Sequence, residues 1–255
     1  MTPALERAAA LLRADRRPRA GELRPARGWL DLAPDAAPPV TGAVQRLMVG
    51  RAVPRVYARW WRPAWGRVLL GPWGPSMAEE LRLAAALLEL RPGDAVLDLA
   101  CGTGAFTRSF AAAVGELGLA LGADASPAML DRAVAETPAQ LAGTVGYLRA
   151  DALDLPLRDA SVDAVCCFAA LHLMADPWRA LDEMRRVLTP GGRLALLTSS
   201  RATGGARRAV EALAGPLSGM RLFERDEVRA ALERRGFTDV AVRLAGAAQI
   251  VGARR

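Results

Sequence analysis

The sequence has few residues that could bind metal or form disulfides. Its 255 residues include one histidine, His172, and three cysteines, Cys101, Cys166 and Cys167. No two cysteines have the Cys-x-x-Cys spacing of a zinc site, and an adjacent pair in an apolar run does not suggest a disulfide framework. We therefore expect no metal site, and a cytoplasmic location in which thiols stay reduced.

Long apolar runs are also absent. No stretch approaches the roughly 20 apolar residues of a transmembrane helix, and Arg13 interrupts the short apolar start of the chain. We expect neither a secretory leader nor a membrane span. The length allows one well-packed core with an appendage.

Lysine is missing altogether. All 34 basic residues are arginine, and the net charge is +7. Six of these arginines lie between residues 36 and 78, a segment without acidic residues, whereas the rest of the chain has 28 arginines against 27 acidic residues. Because the excess charge is local, it does not favour a nucleic-acid-binding surface over the whole molecule.

From residue 94 onward, short apolar segments alternate with amphipathic ones. The pattern predicts strands at 95–99, 119–123, 144–149, 162–168, 193–198, 238–244 and 247–253. It predicts helices at 105–114, 126–136, 177–188 and 225–235, and Ser76 can cap a further helix that precedes them, at 79–90. This alternation predicts a doubly wound, Rossmann-like α/β fold whose seven-stranded sheet is mostly parallel, with an antiparallel edge strand. We expect residues 76–255 to form this domain, and residues 1–75 to form an extension with a helical lid.

The segment 96–104, Val-Leu-Asp-Leu-Ala-Cys-Gly-Thr-Gly, reads as a strand, a glycine turn and the start of a helix. A dinucleotide site would have a third glycine where Thr107 stands, and Asp98 would repel a pyrophosphate but attract a cation. Asp124 and Asp151 end the next two strands, where carboxylates can accept hydrogen bonds from ribose hydroxyls and an adenine amino group. Three acids in this arrangement fit an adenosine with a cationic amino-acid tail, which is S-adenosylmethionine. Each acid taken alone could equally be a loop or capping residue.

The chain from about residue 82 resembles the class I S-adenosylmethionine-dependent methyltransferases of the small-molecule type. The resemblance extends over 96–104, 122–130, 150–156, 161–165, 170–177 and 186–194 in the order of that family. It implies the same cofactor and a small methyl acceptor. Ala100 departs from the pattern, since many relatives have glycine there.

The resemblance also implies roles for individual residues. The residues implied to bind the cofactor are Asp98, Ala100, Cys101, Gly102, Thr103, Gly104, Asp124, Ala125, Met129, Asp151, Ala152, Phe168 and Ala169. Gly102, Thr103 and Gly104 would surround the methionine portion, and Phe168 and Ala169 would offer backbone carbonyls to its amino group. Met129 is equally interpretable as helix core, and Cys101 as a buried small side chain.

Two residues are candidates for catalysis. Methyl transfer needs a general base only if the acceptor begins protonated. His172 follows the fourth predicted strand and could serve as that base, or it could only fix the loop. Tyr57 is a second candidate, by analogy with relatives whose N-terminal tyrosine closes over the cofactor.

The segment 40–75, which includes these six arginines, is the expected lid. Its aromatic and basic residues could line a pocket for an acidic or aromatic acceptor, or could simply pack and face water. The candidates for acceptor contact are Tyr57, Trp60, Trp61, Arg62 and Trp65. Residues 28–63 also resemble relatives that carry a zinc-ribbon-like N-terminus, although no cysteine precedes Cys101.

Three functions remain open at this point. The first is methylation of a small molecule at oxygen, carbon or nitrogen. The second is methylation of RNA, which the basic aromatic stretch suggests but the residues after the fourth strand, Phe-Ala-Ala-Leu at 168–171, do not support. The third is a non-catalytic partner protein that binds the cofactor. The sequence does not indicate an oligomeric state.

Overall fold

The computed structural model describes residues 2–16, 27–33, 76–201 and 219–255. Their strands form one sheet in the order β1-β4-β3-β2-β5-β6-β8-β7. The strands are β1 (Leu30–Asp31), β2 (Ala95–Leu99), β3 (Leu119–Asp124), β4 (Val145–Arg149), β5 (Val162–Phe168), β6 (Leu188–Ser199), β7 (Thr238–Ala245) and β8 (Ala248–Arg254). Six strands are linked by parallel pairings, and β8 runs antiparallel to both of its neighbours, β6 and β7. The predicted α/β class and its antiparallel edge are confirmed.

Helices cover both faces of this sheet. Those of the described ranges are α1 (Pro3–Ala10), α2 (Met77–Leu88), α3 (Ala105–Val114), α4 (Pro127–Glu136), α5 (Pro177–Val187) and α6 (Glu227–Arg234). Helices α2, α3 and α4 pack on the face that carries Val96 and Ala164. Helices α1, α5 and α6 pack on the opposite face, with Leu97 and Val165. Consecutive strand residues thus point into two separate cores, as a buried parallel sheet requires.

Helix starts follow local capping chemistry. At α2, Ser76 accepts from the Glu79 N–H while the Glu79 carboxylate accepts from the Ser76 N–H at 2.7 Å, a capping box. At α5, Asp176 accepts from the N–H groups of Trp178 and Arg179, at 3.1 and 3.0 Å. Such caps stabilise a helix by about 1 kcal/mol each. Because capping residues are recognisable in a sequence, the starts of these helices can be located from sequence alone.

The N-terminal residues are part of the same folded unit as the sheet. Leu5 of α1 and Leu12 are buried in the core that also contains Leu97. Strand β1 pairs with β4, so the sheet has eight strands rather than the predicted seven. A two-residue strand is too short to give a periodic signal, which explains why the pattern missed it. The expected lid, residues 40–75, lies outside the described residues.

One predicted turn is part of a strand. The Thr-Pro-Gly-Gly segment at 189–192 was expected to separate α5 from a strand beginning at residue 193, but β6 begins at Leu188. The Gly191 N–H donates to the carbonyl of Arg255 at 2.9 Å, and the Arg255 N–H donates to the carbonyl of Gly192 at 2.8 Å. Gly191 has a φ of +77°, and the pairing of β5 with β6 skips from Leu188 to Arg193, so residues 189–192 form an irregular stretch within β6 that hydrogen bonds with Arg255 hold in place.

The strand order places a crevice between β2 and β5. From β2 the chain proceeds to β3 and β4 on one side, and from β5 it proceeds to β6 on the other. In open α/β sheets, ligands bind outside the carboxyl ends of the strands at this kind of switch point. Among the described residues, no helix is long and apolar enough to cross a membrane.

Candidate functional site

The glycine turn begins where β2 ends. Ala100, Gly102 and Gly104 have φ angles of +59°, +54° and +76°. The Cys101 N–H donates to the carbonyl of Ala123 at 3.0 Å, and the Gly104 N–H donates to the carbonyl of Cys101 at the same distance. The left-handed conformation costs alanine about 1–2 kcal/mol, and strain of this kind is typical of binding sites.

Tyr147 of β4 lies directly beneath this turn. A Cβ atom added to Gly104 would lie 2.4 Å from the tyrosine hydroxyl, and one added to Gly122 would lie 2.7 Å from the ring. The hydroxyl is 2.9 Å from Oγ1 of Thr137, and burial raises the pKa of Tyr147 to about 12. Both glycines are therefore needed because a buried aromatic ring fills the space where side chains would be.

Gly102 has a different environment. A Cβ atom added there would meet nothing within 4 Å, so this part of the turn faces open space. Its N–H donates to Oδ2 of Asp124 at 2.8 Å, while Oδ1 of Asp124 accepts from the Ser126 N–H, also at 2.8 Å. Burial raises the pKa of Asp124, and these two N–H groups oppose that shift. Asp124 thus joins the ends of β2 and β3, and a second lone pair on each oxygen remains for a ligand.

Asp98 is buried under the same turn. It is 3% exposed, and Oγ1 of Thr107 donates to its Oδ2 at 2.5 Å. Burial and the nearby charges of Asp124 and Asp98 raise the pKa of Cys101 well above its usual range. Since only the thiolate is nucleophilic, Cys101 fits the interpretation of a buried small side chain.

The loops after β3 and β4 contain the other residues predicted to contact adenosine. Asp151 accepts from the Leu153 N–H at 2.9 Å, which fixes the turn that includes Ala152. Ala125 follows Asp124 and is partly exposed. Met129 is 4% exposed in the first turn of α4, so both of its sequence interpretations, core and adenine contact, stay open.

The end of β5 forms the other side of the crevice. Phe168 packs against Phe106 with ring centroids 5.2 Å apart. Ala169 has a φ of +60°, like Ala100, and its N–H donates to the carbonyl of Leu197 at 2.8 Å. Two neighbouring strands therefore end in a left-handed alanine, one on each side of the switch point. The roles of the Phe168 and Ala169 carbonyls remain predictions.

His172 is buried just beyond this point. It is 3% exposed, and its Nδ1 lies 3.4 Å from Oγ1 of Thr198. Burial lowers its pKa to about 4, so the ring is neutral near pH 7. A neutral ring can accept a proton, but a low pKa makes it a weak base. Its catalytic role remains a hypothesis.

The other catalytic and acceptor candidates lie outside the described residues. They are Tyr57, Trp60, Trp61, Arg62 and Trp65. Within the described ranges, no three histidine, cysteine, aspartate or glutamate side chains are grouped so that they could hold a metal ion.

Sequence reasoning missed two residues that support the turn. Tyr147 gave no signal except as an apolar strand residue. Arg108 donates from Nη1 to the carbonyl of Thr103 at 2.6 Å and from Nη2 to Glu136 at 3.2 Å, linking the turn to α4. A basic residue one turn into the helix that follows a glycine turn was the only available clue.

Comparison with known families agrees with this geometry. Residues 97–196, which run from β2 into β6, match the family described as "Methyltransferase domain". Residues 97–196 are therefore similar to a methyltransferase domain. A stretch of 117 residues is 35% identical to a demethylmenaquinone methyltransferase of Bacillus cereus, covering 46% of this chain and 49% of the relative. The chain spans half or less of the length of the curated relatives it matches.

Solved structures share the fold of this chain. One is an S-adenosylmethionine-dependent methyltransferase from Aquifex aeolicus, with a TM-score of 0.55, 23% identity, and coverage of 69% of this chain and 89% of that one. Another is the [4+2]-cyclase SpnF, with a TM-score of 0.62, 21% identity, and coverage of 85% and 97%. At these identities only the fold is shared. Because a methyltransferase and a [4+2]-cyclase both have this fold, the function must be argued from the site.

The site of the domain fits S-adenosylmethionine. Gly102 leaves open space beside the turn, and Asp98 provides a buried carboxyl group under it. Asp124 has unused acceptor capacity at the end of the next strand, where a ribose would lie.

Proposed function

We propose that this chain is an S-adenosylmethionine-dependent methyltransferase whose acceptor is a small molecule. The observation that carries the proposal is the arrangement of Asp98, Gly102 and Asp124 around one open turn at the switch point of the sheet. A buried acid beneath a turn that faces open space suits a cationic ligand and disfavours a pyrophosphate.

The relative's name suggests a class of acceptor. The Bacillus cereus protein is named for demethylmenaquinone, a small molecule with a quinone ring. A quinone-like or other aromatic acceptor would also suit the tryptophan-rich segment expected to form the lid. The atom that receives the methyl group, whether oxygen, carbon or nitrogen, stays open.

Each residue of the site would act by binding or positioning. S-adenosylmethionine, when bound, supplies a methyl group activated by a sulfonium centre. Asp98 would balance positive charge, and Asp124 would accept from the ribose hydroxyls while it holds Gly102 in place. Alignment and exclusion of water can supply roughly 7–11 kcal/mol of a displacement barrier. His172 would accept a proton only from an acceptor that begins protonated.

Replacing Asp124 tests the proposed cofactor site. We expect Asp124→Ala to weaken binding of S-adenosylmethionine and S-adenosylhomocysteine at least about tenfold, because a charge-assisted contact and the anchor of Gly102 are lost together. Isothermal titration calorimetry of the full chain measures this. The matched control is Asp159→Ala, since Asp159 is 77% exposed and pairs with Arg186 away from the turn. Equal affinity in the two variants would contradict the assignment of Asp124.

The two other candidate functions give different results. An RNA methyltransferase would bind RNA with an affinity that falls steeply as salt is raised, so weak binding that is insensitive to salt argues against it. A non-catalytic partner would bind the cofactor without ever converting it to S-adenosylhomocysteine in the presence of quinone-like or phenolic acceptors. The three cysteines are buried and form no disulfide, which fits the proposed cytoplasmic location.

A further inference from the structure

Arg149 connects an N-terminal residue to the loop after β3. Its Nη1 lies 3.1 Å from Oδ1 of Asp31, and its Nε donates to the carbonyl of Ala125 at 3.4 Å. The Leu32 N–H also donates to the carbonyl of Arg149 at 3.0 Å. Ala125 directly follows Asp124, so residues 30–32 are linked through one guanidinium group to the loop expected to meet adenosine.

A second N-terminal stretch is linked to the loop after β4. Nη2 of Arg13 donates to Oδ1 of Asp154 at 2.9 Å, and Arg16 donates to Oδ2 of the same carboxylate. Leu12 and Leu157 form an antiparallel bridge, and both are fully buried. The Asp154 N–H in turn donates to the carbonyl of Asp151 at 3.2 Å.

A third contact reaches the helix that follows Asp124. Nε1 of Trp29 donates to Oδ1 of Asp131 in α4 at 3.0 Å, and Arg27 donates to the other oxygen. Trp29 is 6% exposed, so this contact includes buried apolar surface as well as charge.

We propose that residues 11–16 and 27–33, here called the N-terminal strap, position the two loops that hold the adenosine part of the cofactor. The proposal rests on the proposed function. The three contacts, Asp31–Arg149, Arg13–Asp154 and Trp29–Asp131, lie on the β3–β4 side of the crevice. Each joins the strap to a residue that lies within about one helical turn or one loop of a predicted adenosine contact. Asp31, Arg149 and Asp154 are thus positioning residues, which act on the cofactor through Ala125 and Asp151.

The test compares two similar ion pairs. In Arg149–Asp31 the side chains are 18% and 52% exposed. In Arg235–Asp182, which joins α6 to α5 far along the sheet, they are 18% and 60% exposed. Asp31→Ala and Asp182→Ala therefore remove ion pairs of like exposure, and only the first is linked to a predicted adenosine loop. Two ligands, S-adenosylhomocysteine and 5′-methylthioadenosine, are titrated into each full-length variant by calorimetry.

We expect Asp31→Ala to weaken both ligands by about twofold to fivefold, in line with the modest strength of exposed ion pairs. The two ligands should lose affinity equally, since they share adenosine but only one carries the amino-acid tail. Asp31→Glu should restore most of the affinity, and Asp182→Ala should leave it unchanged. Equal affinities in Asp31→Ala and Asp182→Ala overturn the proposal while the proposed function stands. Absence of binding by the unaltered chain overturns both.

Discussion

The residue type required at each position of this site depends on the side chains packed beneath it as well as on the ligand it could bind. Gly102 and Gly104 both have a positive φ, but only Gly104 lies against the Tyr147 hydroxyl. A sequence motif treats such glycines as equivalent, whereas the structure assigns them separate reasons. Gly102 is needed for its backbone conformation alone. Gly104 is needed also because Tyr147 occupies the space that a side chain would fill.

This difference predicts unequal costs of substitution. Gly102→Ala should cost about 1–2 kcal/mol of the free energy of unfolding, from the left-handed conformation alone. Gly104→Ala should cost about 1–3 kcal/mol more, because its methyl group overlaps Tyr147. Urea denaturation measures both. Adding Tyr147→Phe to Gly104→Ala should recover part of the loss, since the hydroxyl is the nearest atom. Equal losses in the two alanine variants would show that Tyr147 does not restrict the turn.

At the scale of elements, the burial of the N-terminal helix in the core is the least expected feature. Helix α1 packs on the face of the sheet that also carries α5 and α6, and Leu12 behind it is fully buried. The sequence analysis placed residues 1–75 in a separate extension. Its prolines and arginines gave no sign that the first sixteen residues complete the core.

Truncating Leu12 tests whether this segment belongs to the core. Leu12→Ala should lower the free energy of unfolding by about 2–5 kcal/mol, as for other fully buried leucines. Leu117→Ala is the control, because Leu117 is 86% exposed and its loss should change stability by less than about 0.5 kcal/mol. Thermal or urea unfolding of the full chain distinguishes them. Similar values for both variants would place residues 2–16 outside the cooperative unit.

Elements with strong local signals were predictable, and those that depend on distant partners were not. The strands at 95–99 and 162–168 and the helix at 105–114 have the predicted bounds, since buried runs and a glycine turn determine them locally. Strand β1 and the start of β6 depend on pairing with β4 and with Arg255. In the site, the acids were visible as strand-end residues, whereas the support from Tyr147 and Arg108 arises only in three dimensions.

At the scale of the whole molecule, the single histidine should determine part of the response to acid. Burial lowers the pKa of His172 to about 4 from a usual value of 6.5. Between these values the unfolded chain binds a proton that the folded chain does not, so stability falls as the pH drops through this window. The full effect is about 3 kcal/mol by linkage.

A variant without the histidine isolates this contribution. His172→Gln cannot titrate, so its stability should decline less than that of the unaltered chain between pH 6.5 and pH 4. Carboxyl groups titrate alike in both proteins and cancel in the comparison. Urea unfolding at half-unit pH intervals gives the two curves. Parallel curves would mean that His172 is not buried as a neutral ring.

The crevice between β2 and β5 has a consequence for how such a chain could change its substrate. Adenosine contacts are predicted on the β3–β4 side, whereas His172 and Thr198 lie on the β5–β6 side. Substitutions at distant sites that share no partners usually add in their effects. Under the proposed function, the choice of acceptor can then change without a change in the adenosine contacts. Variants altered around His172 could be screened for new acceptors while the affinity for 5′-methylthioadenosine, which lacks the amino-acid tail, stays constant and serves as an internal standard.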